Sequence, residues 1–368
     1  MKENRKIIHC DADCFYAAIE MRERPELANY PIAVGGSSDR RGVISTCNYL
    51  ARKFGVRSAM ATATAKRLCP HLVVLPSRMP LYKEASDEIR EIFSEFTSLI
   101  EPLSLDEAYL DVTQTASRNM NAVSIAKEIR KRVERQIRIT ISAGVAPNKF
   151  LAKVASDWRK PDGLTVIHPE QLLEFVKQLP VSRIPGVGSS TQQVLMSHGV
   201  FYCGQLQEWP LEKLIQLFGE QGRKLYERSR GRDDRLVVSQ WRRKSVSVER
   251  TFSMDLESIQ QCDKELPLLL DWLIQRWQRL DNSYAIHKLA VKVKYADFHR
   301  VSAERVLEIG ESPTEGFTPL AQQELLDVFQ LLLKDIWLRR TAPVRLLGVG
   351  FGLKDVNHQF SVQQDLFV

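Results

Sequence analysis

Asp11 follows directly on the apolar run Ile7-Ile8-His9-Cys10, and Asp13 lies two residues further on. A second acidic group, Glu101, Asp106, Glu107 and Asp111, surrounds the turn-forming stretch Pro102-Leu103-Ser104-Leu105. An acid at a strand end beside an acidic hairpin supplies a few hard oxygen ligands and leaves the remaining positions to water and phosphate, as Mg2+ requires. Two ions held this way can activate an attacking hydroxyl and stabilise the leaving oxygen of a phosphoryl transfer. Acids of a solvated loop would show the same spacing, so both readings stand at this point. Adjacent residues of a regular strand face opposite ways. Asp106 and Glu107 can therefore serve one ion only if the backbone turns or twists between Leu105 and Ala108.

Three segments near these acids suit a nucleotide. Phe15 and Tyr16 follow Asp11 at a strand-to-helix turn. A bulky ring there could close against a sugar and clash with a 2′-hydroxyl; a pair of core aromatics would read alike. Within residues 42–55, a helix starting near Asn48 would set Tyr49 and Arg52 one turn apart on one face. A hydroxyl and a guanidinium so placed can hold a triphosphate. The basic turn at residues 156–163 offers Lys160 as another phosphate contact. A solvated basic surface remains the alternative for both. The chain has no Gly-x-x-x-x-Gly-Lys-Ser/Thr run, which excludes a P-loop.

Further along, residues 184–188 read Ile-Pro-Gly-Val-Gly between two helical runs. That matches the hairpin of a helix–hairpin–helix, in which Gly186 and Gly188 would let backbone N–H groups approach a phosphate; an ordinary turn is the alternative. Arg242, Arg243 and Lys244 stand together. Lys288, Lys292 and Lys294 share parity along a strand, so all three face one way and Leu289, Val291 and Val293 the other. A half-buried sheet with a basic outer face suits tracking a phosphate backbone, although a solvated edge has the same pattern.

The elements that must position these residues alternate along the first 165 or so positions. Residues 7–10, 32–35, 43–45, 72–75 and 140–145 read as strands, and 81–96 and 122–136 as amphipathic helices, an α/β or α+β pattern. From about residue 169 the strand signal disappears, and short helices joined by Gly and Pro turns continue to Ser229. A charged linker follows. The last unit has strands at 248–253, 288–295, 302–307 and 344–351 and helices near 262–280 and 320–338, which fits one sheet covered by one helical layer. No repeat of 20–50 residues is visible.

Composition fits this division. With 368 residues, 44% hydrophobic and 26% charged, the chain is long enough for several cores and unlike a disordered one. A net charge of +7 suggests a polyanionic partner without requiring one. The six cysteines are scattered with no CxxC, so buried free thiols are expected rather than disulfides or a zinc site. The first residues lack the apolar core of a signal peptide and no stretch approaches the ~18 apolar residues of a membrane span, so a cytoplasmic location is expected.

Taken together, five motifs in order resemble the Y-family DNA polymerases. They are Asp-x-Asp-Cys-Phe-Tyr (11–16), Asn-Tyr-x-Ala-Arg-Lys-Phe-Gly-Val (48–56), Ser-Leu-Asp-Glu-Ala-Tyr-Leu-Asp (104–111), Ala-Gly-Val-Ala-Pro-Asn-Lys (143–149) and Lys-Pro-Asp-Gly (160–163). The likeness runs from about residue 6 to about 353. It implies an α+β multidomain right hand: a ferredoxin-like palm at 1–11 and 77–168, small fingers at 12–76, and a helical thumb with the helix–hairpin–helix at 169–235. A basic linker at 236–246 would lead to a little finger at 247–353, a four-stranded sheet with two helices, and a flexible tail at 354–368.

The resemblance further implies that Asp11 and Asp106 bind two Mg2+ ions and that Glu107 completes the site. Tyr16 would take the position that rejects ribonucleotides, where many bacterial relatives carry Phe. Phe15, Thr46, Tyr49, Arg52 and Lys160 would contact the incoming nucleotide. The implied activity is error-prone, template-directed translesion synthesis from dNTPs on primer–template DNA, without proofreading, by a monomer. No separate exonuclease-like acidic set is present in the sequence. Gln363-Gln364-Asp365-Leu366-Phe367 is similar to the pentapeptide that docks bacterial polymerases on the sliding clamp, with Gln363, Leu366 and Phe367 as its contacts. Two rival readings are a nucleotide cyclase, which can share a palm-like fold, and a clamp-bound scaffold without activity. The hairpin, the basic linker and the tail speak against the first, and the three acids against the second.

Overall fold

The computed structural model describes residues 5–117, 120–240, 242–281, 283–307 and 318–355. The chain divides after Trp241 into two units, with Ser37–Gly42 grouped with the second.

The first unit is built around β1 (Ile7–Ala12), whose residues are nearly all buried. After it come α1 (Phe15–Glu23), β2 (Ile32–Gly35), β3 (Ile44–Cys47), α2 (Tyr49–Lys53), α3 (Thr62–Leu68) and β4 (Val73–Leu75). Then follow α4 (Met79–Ser94), β5 (Ile100–Pro102), β6 (Glu107–Asp111), α5 (Ala122–Ile137), β7 (Ile141–Ala146), α6 (Lys149–Trp158) and β8 (Leu164–Val166). The strands form one sheet in the order β5-β6-β1-β7-β8 and a smaller one in the order β3-β2-β4. Strand alternation divides the large sheet's faces. Ile8, Cys10, Ala12 and Leu110 join α4 and α5 in one core, while Ile7 and Tyr109 join α6 in another. The helical segment after β8 consists of α7 (Leu172–Lys177), α8 (Ser189–Ser197), α9 (Cys203–Gln207), α10 (Leu211–Phe218) and α11 (Glu220–Ser229). It packs on that second core through Leu179, Leu195, Leu214 and Leu225.

Three asparagines start helices of this unit. Asn48, Asn121 and Asn148 each accept a backbone N–H of the first turn of α2, α5 and α6, a cap worth about 1 kcal/mol apiece. Helix α6 lies hard against β7: a Cβ on Gly144 would come within 2.1 Å of the Ala152 carbonyl oxygen. Only glycine permits that approach.

The second unit runs β9 (Ser245–Leu256), α12 (Ile259–Trp277), β10 (Tyr284–Tyr295), β11 (Arg300–Val306), α13 (Pro319–Arg339) and β12 (Val344–Asp355). Its antiparallel sheet has the order β11-β10-β12-β9, and both helices bury Leu266, Leu269, Leu273, Phe329 and Leu333 against one face.

The expected strands and helices are present, with β9, β10 and β12 longer than their apolar patterns. The strand β9 already begins at Ser245, inside the expected linker. The rest of that linker is docked. The Leu236 carbonyl accepts from Lys149 and Val237 is buried in the first unit, whereas Arg242 pairs with Asp355 at 3.1 Å in the second. Helices α3 and α6 and strand β8 were not among the expected elements. Buried residues cover most of α6, and only Pro147-Asn148 separates it from the buried strand β7. All six cysteines are free and buried, as expected. Among the described residues no helix is long and apolar enough to cross a membrane.

Candidate active site

At the end of β1 the ladder sets Asp11 opposite Glu107 on one side and Ser142 on the other. One step on, the Ala12 N–H donates to the Asp106 carbonyl at 2.9 Å. Cys14 then turns the chain in the left-handed region (φ +44°), a conformation that costs about 1–2 kcal/mol outside glycine. That turn brings Phe15 and Tyr16 back over the strand end.

The result is a polar cavity of ≈ 240 Å³ lined by Asp11, Tyr16, Thr46, Arg52, Asp106 and Lys160, with Phe15 at its wall. Lys160 Nζ stands 2.5 Å from Asp11 Oδ1. Burial pushes the Asp11 carboxyl up to about 6, against the pull of Lys160. A carboxylate desolvated to this degree is stabilised by any cation that arrives. Asp106 accepts from the Ser104 hydroxyl at 2.6 Å and adds its charge beside both Asp11 and Tyr16. Tyr16 stacks on Tyr82 with centroids 4.3 Å apart and planes 12° from parallel. Beneath it the Tyr82 hydroxyl donates to the fully buried Glu20 at 2.6 Å, and Arg78 and Arg24 close on the same carboxylate.

Glu107 does not line this cavity. The chain bends through residues 103–106 and becomes regular strand at Glu107, so the two neighbouring acids meet different partners. The Glu107 carboxylate is ion-paired with Lys153 of α6 and lies 3.4 Å from Nε2 of buried His9, whose Nδ1 is 2.7 Å from the Ser156 hydroxyl. Burial alone would raise the Glu107 carboxyl; contact with His9 and Lys153 brings it down to about 2. Burial keeps His9 below its ordinary value. Of the three acids expected to share a site, Asp11 and Asp106 line one cavity, and Glu107 is held away from it by Lys153 and His9.

Tyr49 and Arg52 do share a helix face, with the guanidinium 4.6 Å from the ring centroid. Only Arg52 reaches the cavity. The Tyr49 hydroxyl instead donates to Asp13 at 3.2 Å. Asp13 is a buried junction that the sequence reading passed over: it also accepts from Thr140 and Ser142 hydroxyls and from the Asp162 N–H, each at 2.8 Å. It ties α2, β7 and the Lys160 loop to the strand end. Its place two residues after Asp11 was the available signal. Glu20, Tyr82, His9 and Lys153 left no comparable mark.

Among the described residues no three His, Cys, Asp or Glu side chains gather as a ready cage. Two carboxylates beside a polar cavity nevertheless fit Mg2+, which takes one or two protein oxygens and keeps water and phosphate for the rest.

Gly186 takes φ +91° in the turn before α8, a conformation for which glycine is suited. Its hairpin is fastened to α11 by Arg228 on the Pro185 carbonyl and Gln221 on that of Gly186. Gly188 occupies the N-cap of α8 with open space around it.

In the second unit Lys288, Lys292 and Lys294 do leave β10 on one face while Leu289, Val291 and Val293 are buried. They are not bare charges. Lys288 pairs with Glu304 and Lys292 with Glu249, each at 2.8 Å, and Lys294 lies 4.5 Å over the Phe298 ring. Between β10 and β9 the central strand β12 presents Gly348, Gly350 and Gly352 to that face, opening a trough of ≈ 750 Å³ that Lys244, Lys288 and Lys292 border. The Gly-x-Gly-x-Gly alternation was its sequence signal. Arg242 donates to Ser283 at 2.8 Å and the Arg243 N–H to the Tyr284 hydroxyl at 3.1 Å, which seats the basic segment on this unit. Gln363, Leu366 and Phe367 lie outside the described residues.

Comparison with known proteins is consistent along the chain. The impB/mucB/samB family matches residues 10–157, its C-terminal domain residues 243–366, and the thumb domain of DNA polymerase-iota residues 182–233. A DNA polymerase IV of Pseudomonas fluorescens (strain Pf0-1) is 51% identical, with 99% of each chain covered. One from Legionella pneumophila subsp. pneumophila (strain Philadelphia 1) is 48% identical over 100% of this chain and 99% of that one. A solved Y-family DNA polymerase chimera superposes with a TM-score of 0.84 at 26% identity, covering 94% of this chain and 98% of its own. The insertion ternary complex of Dbh DNA polymerase gives 0.66 at 25% identity, over 96% and 100%. With family models matched along the chain and relatives about half identical over nearly its whole length, the chain belongs to the impB/mucB/samB family of Y-family DNA polymerases.

Proposed function

We propose that this DNA-directed DNA polymerase adds dNMP units to a primer 3′ end through a centre formed by Asp11 and Asp106, with Glu107 joining them when substrates are in place. One observation carries the reading: both aspartates open on the same cavity as Tyr16, Arg52 and Lys160, so metal ligands, sugar contact and phosphate contacts converge. When bound, two Mg2+ ions supply charge that favours a 3′-oxyanion and a pyrophosphate leaving group. The chain's own residues bind and orient. Arg52 and Lys160 take the triphosphate oxygens, with Thr46 beside them. The Tyr16 ring, held against Tyr82, bars a 2′-hydroxyl, and Phe15 backs the sugar. Tyr49 serves by fixing Asp13 and seating Arg52. Such positioning and charge compensation are the main means of phosphoryl-transfer catalysis.

The palm is assigned to residues 1–11 and 77–168, the fingers to 12–76, the thumb to 169–235 and the little finger to 247–353, joined by 236–246. Gly186 and Gly188 offer N–H groups to the primer backbone. The glycine trough bordered by Lys288 and Lys292, with Arg242, Arg243, Lys244 and Lys294 nearby, follows the duplex. The chain acts as a monomer in the cytoplasm, without excision of mispaired ends, and the tail from residue 354 docks on the sliding clamp through Gln363, Leu366 and Phe367. Tethering of this kind raises the effective concentration at the primer end.

Primer extension tests the reading. Templated addition of single dNMPs past damaged bases, dependent on Mg2+ and with no shortening of a mispaired primer, is the expected result. A chain that binds primer–template DNA and adds nothing would refute it. Removing residues 363–368 should leave basal extension intact and abolish stimulation by the clamp.

A further inference from the structure

Lys153 lies at a meeting point. Its ammonium pairs with Glu107 on one side, and on the other it lines a second cavity, ≈ 340 Å³, with Gly186, Lys224, Arg228 and Arg235. The acid at that cavity, Glu101, already pairs with Lys149 at 2.5 Å and accepts the Val238 N–H at 2.8 Å. Of the four cations there, Lys153 pairs with Glu107 and Arg235 with Asp233, so Lys224, Arg228 and the glycine hairpin face a space in which the acid's charge is spent. A phosphodiester suits it, and a phosphate entering there competes with Glu107 for Lys153.

We propose that Lys153 is a positioning residue that couples arrival of the primer strand to release of Glu107. Without DNA its ammonium holds the Glu107 carboxylate aside from Asp11 and Asp106. A primer phosphate takes over the ammonium, and Glu107 becomes available to the metal site; no bond is made or broken. Lys160 stands on Asp11 in a corresponding way, from the loop after the same helix. The inference rests on the reading of Glu107 as a metal ligand.

Coupling of two ligands through one residue is reciprocal and measurable without turnover. Mn2+ binding is followed by electron paramagnetic resonance, with and without primer–template DNA carrying a dideoxy 3′ end, after subtracting the ions bound by DNA alone. In the unaltered chain DNA should tighten Mn2+ binding about tenfold or more. Lys153→Met keeps the side-chain length and removes the charge. Its DNA-free form should already bind Mn2+ more tightly, so that DNA adds a factor of less than about three. Lys153→Arg, which keeps a cation, should restore most of the coupling. Unchanged coupling in Lys153→Met would overturn the proposal. Glu107→Gln separates the two readings. If it weakens Mn2+ binding in the DNA complex while Lys153→Met leaves the coupling intact, Glu107 is a ligand and the latch is wrong. If Glu107→Gln changes nothing, the ligand assignment falls, and the latch with it.

Discussion

The two units treat paired charge in opposite ways. Around the cavity, Asp11 and Lys160 are 15% and 18% exposed, and Glu107 and Lys153 22% and 23%. On the outer sheet face, Lys288 and Glu304 are 31% and 50% exposed, and Lys292 and Glu249 43% and 51%. Burial makes each charge in the first unit expensive to strand and strong in its effect on a neighbour. Exposed pairs in the second are screened by water and salt and contribute about 1 kcal/mol or less. In the first unit a change of partner is therefore felt strongly by the neighbouring charges. The second offers a shape, a glycine-floored trough, with charges that exchange partners at little cost.

Substitutions should separate these roles. Asp106→Ala should lower the rate of single-nucleotide addition on the order of 10³-fold or more, since the proposed metal ligand and its charge are both lost. Glu20→Gln acts at a distance. Three donors lose a buried anion, costing roughly 3 kcal/mol. For a unit of this size that is about 6–12 °C of melting temperature, read by calorimetry. The pH dependence has a defined sign. Burial would raise the Glu20 carboxyl, but Arg78, Tyr82 and Arg24 outweigh it and hold it below its ordinary 4.5. The stability it supplies is full above pH 4.5 and falls as the pH drops through the lower folded-state value, so the gap between the unaltered chain and Glu20→Gln should close in acid.

Tyr16→Ala removes the ring that we propose stands against the sugar. Discrimination between dNTP and rNTP should fall on the order of 10²-fold with little change in DNA affinity, and an unchanged ratio would end the assignment. Gly350→Val places a side chain in the trough. Its Cβ would meet Ser247 Cβ at 3.0 Å and the Val246 carbonyl oxygen at 3.2 Å, so β9 must give by a few tenths of an ångström. The dissociation constant for primer–template DNA should rise about tenfold, close to 1.4 kcal/mol, while addition at saturating DNA is unaffected. Lys292→Ala should be the mildest, under about threefold in affinity at low salt and nothing at high salt, because Glu249 is released along with it.

The fold was largely legible because its signals are periodic. The parity of Lys288, Lys292 and Lys294 placed β10 correctly, and the apolar spacing of α4 and α5 marked their buried stripes. Helix α6 was not read although Lys149, Lys153, Ser156 and Asp157 recur along it at helical spacing; most of that stripe is turned onto Glu101, Glu107 and His9 of the sheet rather than to water. At the site, sequence motifs brought Asp11, Asp106, Tyr16, Arg52 and Lys160 to one cavity. They could not reveal which acid is paired with which lysine. The placement of Glu107 depends on Lys153, 46 positions away, and that of Tyr16 on Tyr82 and Glu20. Such contacts are made by the tertiary fold.

The most direct test crosses the two regions in one experiment: single-turnover addition rate and DNA dissociation constant, measured together for Asp106→Ala and Gly350→Val. The account requires Asp106→Ala to lose the rate and keep the affinity, and Gly350→Val to lose affinity and keep the rate at saturating DNA. If Asp106→Ala still adds nucleotides near the unaltered rate, or if both variants lose both quantities alike while remaining folded, the division between a reacting centre and a DNA-holding sheet is wrong.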